Sequence, residues 1–151
     1  MQVIGLFGNE KLPKKVSIGW LHSPMIIWPG LYERFILEYY RQKYTYLTEV
    51  KAGQVKWNLT GDDSETMVRF LPVMQTDIML RLKEKILIID AKYYGRALQK
   101  QFDKYSLHSG NLYQIFTYVK NQDKDDTRDV AGILLYAKTD EDIAPDFMFN
   151  M

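Results

Sequence analysis

The sequence contains no cysteine, which excludes disulfides, thiolate metal sites and a cysteine nucleophile together. Such an absence fits a reducing, cytoplasmic setting. Histidine is scarce too: His22 and His108 are far apart in the chain, and neither has a ligand partner nearby in sequence. No stretch approaches the roughly 20 apolar residues that cross a bilayer, so no membrane partner is expected. The opening "MQVIGLFGNEKLPKK" places its lysines after its apolar residues, the reverse of a secretory signal. Charge of one sign is lacking as well. The 20 basic and 19 acidic residues leave a net charge of +1, so any attraction to nucleic acid must come from a local patch. There is no internal repeat and no GxxxxGK[ST] loop, so a nucleotide-driven motor would have to be another chain.

What is present suits one soluble globular domain. A chain of 151 residues buries roughly two thirds of the surface its unfolded form exposes. Residues 1–30 form a short N-terminal segment holding Pro13, Pro24 and Pro29, which closes on "WPG". In "LYERFILEYYRQ", Leu31, Tyr32, Phe35, Ile36, Tyr39 and Tyr40 recur with the helical period. Glu33 falls on the flank of that stripe, beside Leu37 and Tyr40, while Arg34 and Glu38 face away. Residues 44–58 read as one or two strands broken near Gly53, and "GDDSE" (61–65) as a turn. "MVRFLPVMQTDIMLRLKEK" gives a strand interrupted around Pro72, with Lys83, Glu84 and Lys85 as a hairpin turn. "ILIIDAKYY" (86–94) is a core strand. Residues 95–109 are polar, irregular and partly helical. "NLYQIFTYVKN" (111–121) is a second amphipathic helix with Leu112, Ile115, Phe116 and Val119 as its apolar positions. A charged loop (122–129) precedes a last core strand, "AGILLYAK", and residues 139–151 form a loose tail. Helix, three strands, helix, strand predicts an α/β fold: a mixed sheet of about four strands flanked by helices.

The chemistry concentrates on the third strand. Side chains alternate along a strand, so Ile88, Asp90 and Lys92 share one face, and Leu87, Ile89 and Ala91 the other. Asp90 and Lys92 are then roughly 6 to 7 Å apart. Asp77, in "VMQTDIMLR", sits in the preceding strand across a tight turn, which brings the two carboxylates side by side. Two such acids near a core are costly and repel each other unless a proton or a cation intervenes. Mg²⁺, or Mn²⁺ in its place, would resolve this, since a hard divalent ion takes one or two carboxylates plus waters and substrate phosphate. Such a site supports phosphoryl chemistry, with Lys92 orienting or deprotonating the attacking water or stabilising the transition state. A structural ion pair between Asp90 and Lys92 explains "DAK" about as well, before the rest of the chain is considered.

The order "TD", twelve residues, "DAK", with a glutamate on the preceding helix, resembles the PD-(D/E)XK nuclease superfamily. More narrowly, "LYERFILEYY", "LPVMQTDIMLR", "ILIIDAKYY" and "HSGNLYQIFTYV" together resemble the McrC family, nuclease subunits of modified-cytosine restriction systems. Those subunits work with a GTP-driven AAA+ partner, McrB. The resemblance covers about residues 28–138 and places a restriction-endonuclease-like domain at 31–138. It implies a Mg²⁺-dependent DNA endonuclease in which Asp77 and Asp90 bind metal and Lys92 is the catalytic lysine. By the same resemblance, Glu33 completes the metal site, and Gln114 and Tyr118 match a Gln-x-x-x-Tyr motif that supports site and DNA. Residues four apart project together from a helix; a polar helix face is the plain alternative for this pair, as a solvated flank is for Glu33. Thr76 stands where the superfamily usually has proline. Only about thirty residues precede the first helix, fewer than the region by which such subunits dock onto their motor.

Arg96, Lys100 and Lys104 follow the active strand at intervals of four and, if helical, form a basic stripe for DNA phosphates; a solvated surface is the alternative. Tyr93, Tyr94 and Tyr105 are placed to stack on bases or simply to pack. Two further functions stay open on these residues: a non-cleaving DNA-binding or assembly module, and a RecB-like exonuclease acting on DNA ends.

Overall fold

The computed structural model describes residues 2–6, 29–61, 64–93, 98–101, 104–137 and 148–149, with side chains for 30–61, 66–93 and 105–137. The main sheet has six strands. In chain order these are β1 (Gln2–Leu6), β2 (Glu49–Val55), β3 (Met74–Leu82), β4 (Lys85–Lys92), β7 (Val130–Tyr136) and β8 (Met148–Phe149). Their order across the sheet is β2-β3-β4-β7-β1-β8. The strands β5 (Leu98–Gln101) and β6 (Lys104–Leu107) make a separate two-stranded ribbon. Helices are α1 (Pro29–Lys43), the short α2 (Ser64–Val68) and α3 (Ser109–Gln122).

The mixed sheet between helices read from the sequence is present as the contiguous block β2-β3-β4-β7. β3 and β4 are antiparallel, and β4 and β7 run parallel across the α3 connection. The alternation in β4 and β7 sorts the core into two layers. Ile89, Ala91, Ile133 and Leu135 pack with Tyr32 and Ile36 of α1. Ile86, Ile88, Leu134 and Tyr136 pack with Ile115 and Tyr118 of α3. Each helix therefore covers one face, as a sheet buried on both sides requires.

Local chemistry sets the ends of these elements. Pro29 opens α1, where a missing N–H costs nothing, and Arg41 and Lys43 fall in its last turn, where cations suit the helix dipole. Lys83 takes φ 55° in the tight turn from β3 to β4. Gly132 lets α3 sit close on β7: a Cβ there would lie 2.6 Å from Ile115 Cγ1 and 2.8 Å from Val119 Cγ2.

Residues 44–58 hold one strand, the first of the two possibilities read from the sequence, with its pairing irregular between Lys51 and Gly53. Several expectations need correction. The segment before Pro72 is the short helix α2 and a turn rather than strand, because proline donates no ladder hydrogen bond. Residues 98–101 and 104–107 pair as two strands, so the helical stripe expected of Lys100 and Lys104 is not formed. β1 and β8 add strands from the two terminal segments, β1 pairing with β7 and β8 pairing with β1. The helical stripes are also rotated. Leu31 and Phe35 are exposed on α1, and Phe116 is 43% exposed on α3, where Asn111 and Tyr118 turn inward instead.

Candidate active site

The site is a fork in the sheet. β3 and β4 are paired from Leu82 and Lys85 as far as Ile78 and Ile89. Beyond that point β4 stays with β7, through Asp90↔Leu134 and Lys92↔Tyr136, while β3 continues only with β2, through Thr76↔Gly53 and Met74↔Val55. Asp77 and Asp90 occupy the first positions past the last shared rung. By register they stand opposite each other.

A bulge aims them. Lys51 faces Met79 and Gly53 faces Thr76, so Ala52 alone opposes both Asp77 and Ile78. Met74 and Met79, five apart, consequently lie in the same α3-side cluster, which an unbroken strand forbids. Bulges redirect side chains in this manner next to functional sites. Thr76 staples the distortion: its hydroxyl donates to the Gly53 carbonyl at 2.9 Å and accepts from the Gly53 N–H at 3.2 Å. A proline at this position could do neither.

The parted strands leave polar backbone groups, and side chains satisfy them. Asp77 Oδ2 accepts the Ala91 N–H at 2.7 Å, standing in for the carbonyl that the ladder would have supplied. Across the gap runs a directed chain of hydrogen bonds. Lys92 Nζ donates to Gln114 Oε1 at 3.2 Å, Gln114 Nε2 to the Tyr118 hydroxyl at 2.9 Å, and that hydroxyl to the Gln75 carbonyl at 3.1 Å. The donor order fixes the orientation of the Gln114 amide. Beside it, Asn111 Nδ2 donates to the buried Tyr136 hydroxyl at 3.1 Å, and Tyr136 pairs in register with Lys92.

Asp90 is 2% exposed, and its Oδ2 lies 2.8 Å from Lys92 Nζ. That contact is a charge pair without hydrogen-bond alignment, and the same oxygen accepts no hydrogen bond. Burial first, then the facing Asp90 charge, push the Asp77 carboxyl up to about 7, against the opposing pull of the Ala91 N–H. Glu33 is half-buried on α1, and its carboxyl is raised by burial, with Lys92 opposing and Asp90 reinforcing the shift. It shares the field of the site without closing a cluster: among the described residues no three Asp, Glu, His or Cys side chains converge to hold an ion.

The donor set nevertheless fits a hard divalent cation. Two facing carboxylates, one of which holds a buried oxygen that accepts no hydrogen bond among the described residues, make an oxygen-only site of the kind Mg²⁺ occupies with waters and phosphate completing its shell.

The sequence-predicted residues are thus brought together in five cases, Asp77, Asp90, Lys92, Gln114 and Tyr118, with Glu33 beside them. Lys100 and Lys104 lie apart on the ribbon, and Arg96 and Tyr94 lie outside the described residues. Sequence reasoning missed the Gln75 carbonyl, the Thr76 staple and Asn111. Only Asn111 left a signal, since it shares the helical spacing of Ile115, Tyr118 and Gln122. No helix among the described residues is long and apolar enough to cross a membrane.

Over 120 residues the chain is 31% identical to the type IV methyl-directed restriction enzyme EcoKMcrBC of Escherichia coli (strain K12), a match covering 80% of this chain. The chain spans about a third of that relative's length, 34%. The profile of one family matches residues 21–137, which takes in α1, the fork and α3. The chain belongs to that family, the McrBC 5-methylcytosine restriction system components.

Proposed function

We propose that this chain is a metal-dependent DNA endonuclease of PD-(D/E)XK type, the cleavage subunit of a modification-dependent restriction system. The observation carrying this reading is the fork: two facing aspartates, one of them fully buried, with a lysine 2.8 Å from the buried one. A purely structural ion pair accounts for Asp90 and Lys92. It leaves unexplained why a second carboxylate is aimed at them from a bulged strand.

In this reading Asp77 and Asp90 hold Mg²⁺, with Mn²⁺ a substitute, and Glu33 supports the site from α1. Held there, the ion would supply Lewis acidity toward the scissile phosphate and offset the developing charge. Lys92 directs its ammonium at the attacking water and a phosphoryl oxygen, where a fixed cation favours the transition state. Gln114 holds that ammonium in place, and Tyr118 ties Gln114 to the diverging end of β3, so the spacing between the acid strands and the lysine is set by one hydrogen-bonded chain. DNA is the substrate, and an McrB-like AAA+ GTPase the partner that supplies modified-cytosine recognition and nucleotide hydrolysis.

The test is incubation of methylated plasmid with the purified chain and Mg²⁺, with and without the GTPase. Nicking or linearisation that disappears with EDTA and in Asp77→Asn is the expected result. Asp77→Asn removes the charge without removing the hydrogen-bonding shape, so its fold is kept, which circular dichroism checks. Binding without cleavage under any divalent ion would identify a non-cleaving module instead. Cleavage of linear but not circular DNA would identify an exonuclease.

A further inference from the structure

Between Lys92 and His108 the chain does not pass directly into α3. It makes the ribbon β5–β6, a two-stranded sheet separate from the main one among the described residues, following the strand that carries Asp90 and Lys92. A lone two-stranded ribbon is marginal in water, and this one is fixed at its base, where Leu107 packs against the α3-side core. Leu98 faces Leu107 there. Outward from the base no further apolar pair occurs: Gln99 faces Ser106, Lys100 faces Tyr105, and Gln101 faces Lys104. Tyr105 is 55% exposed.

The register decides where the charges go. Residues directly opposite share a face, and neighbouring rungs alternate. Lys100 and Tyr105 therefore stand on one face of the ribbon, Gln101 and Lys104 on the other. A basic element lying flat on one DNA strand needs its cations on a single side. One lysine per side suits a slot with phosphate on both walls. The ribbon is about 13 Å long at roughly 3.3 Å per residue, and a two-stranded ribbon fits the major groove, about 12 Å wide. Charge agrees: between Lys92 and His108 the sequence holds Arg96, Lys100 and Lys104 against Asp103 alone, in a chain whose charges otherwise nearly cancel.

We infer that the β5–β6 ribbon is a DNA-binding arm that enters the major groove beside the cleavage site, Lys100 and Lys104 each contacting one of its two phosphate walls. The inference rests on the nuclease reading of the fork and names the element that grips the substrate.

The experiment is fluorescence anisotropy of a labelled duplex with the full chain in its non-cleaving Asp77→Asn form, over a range of salt. Lys100→Ala and Lys104→Ala are each expected to weaken binding several-fold and to lower the salt slope by about one, the double variant by about two. Lys→Arg at either position restores both, which a change in folding would not do. Methyl green, a major-groove ligand, competes with the protein, and the minor-groove ligand netropsin does not. An unchanged salt slope in the double variant overturns the arm. Dependence on one lysine alone, or competition by netropsin instead, overturns its seat in the major groove. If the unsubstituted chain cleaves DNA while ribbon variants bind normally, only the arm falls; if it neither binds nor cleaves, the nuclease reading falls with it.

Discussion

The two faces of the sheet are built from different materials. Toward α1 the sheet presents Ile78, Leu80, Ile89, Ala91, Ile133 and Leu135, met by Tyr32 and Ile36. Polar atoms are scarce there, and the Tyr32 hydroxyl is buried without a hydrogen-bond partner among the described residues, burial pushing it up to about 12. Toward α3 an apolar cluster of similar extent shares its face with Asp77, Asp90, Lys92, Gln114, Tyr118 and the Asn111–Tyr136 pair. A dry layer holds strands in register by dispersion and exclusion of water, and it tolerates no charge. A layer that carries chemistry must satisfy every polar group it buries. This one uses a hydrogen-bonded chain, an ion pair and a carboxylate taking the place of a backbone acceptor, and leaves Asp90 Oδ2 with its charge pair to Lys92 alone among the described residues. The fold thus divides the work: the α1 layer supplies stability, and the α3 layer uses part of it to keep charged groups in place.

Substitutions on the two faces test that division, the chemical ones being largest. Lys92→Ala is expected to cut plasmid cleavage by at least about a thousandfold, roughly 4 kcal/mol of barrier. It also leaves the Asp90 carboxylate buried beside no cation, so a thermal melt must accompany the assay. A strand-end lysine would ordinarily contribute little to packing; with its side chain 15% exposed and paired to Asp90, this one contributes more. On the opposite face, Ile36→Ala removes a side chain that is 1% exposed. It is expected to lower unfolding free energy by about 2–5 kcal/mol in urea titration, while cleavage per folded molecule stays near normal. Loss of both together would show that the faces are not separable.

Tyr118→Phe lies between these extremes. It breaks the tie to Gln75 and Gln114 but keeps the ring in the core, so the expected cost is about 1 kcal/mol of stability, with a clear fall in kcat. The smallest effect concerns pH. Folded Asp77 holds its proton up to about 7, against an ordinary value of 3.8. Its contribution to stability is therefore full below pH about 4 and fades as pH rises through 7. Without added divalent ion, the midpoint of urea unfolding should drift down over that window, and the drift should vanish in Asp77→Asn. Mg²⁺ added at pH 8 should reverse it, because an ion bound only by the folded state stabilises that state.

Much of this was legible in the sequence because it follows from period. Alternation placed Asp90 and Lys92 on one face of β4 and Ile89 and Ala91 on the other, and the structure agrees. Helical spacing put Glu33 on the flank of α1 beside Leu37 and Tyr40, where it is half-buried. What escaped was whatever depends on a partner distant in sequence. The bulge opposite Ala52 has no local signature. Lys100 and Lys104 at a spacing of four mimic a helix while belonging to a ribbon, because their segment lacks the apolar period that would choose between the two. Hydrophobicity alone predicts Phe116 to face inward, yet the face of α3 is set by Gly132, which lets Ile115 and Val119 sit down onto β7. β1 and β8 are too short to announce themselves without the strands they join.

The bulge in β3 also fixes how this protein can be lost. Because of it, Met74 anchors the α3-side core and Asp77 aims its acid at the same side. An insertion of one codon beside Ala52 in β2 would remove the bulge while leaving those two residues three apart, and force a choice. Either the methionine would keep its seat and the acid would swing to the dry side, or the acid would stay and the core would lose its anchor. Durability and chemistry are locked together at that point, and a regular ladder at this spacing cannot keep both.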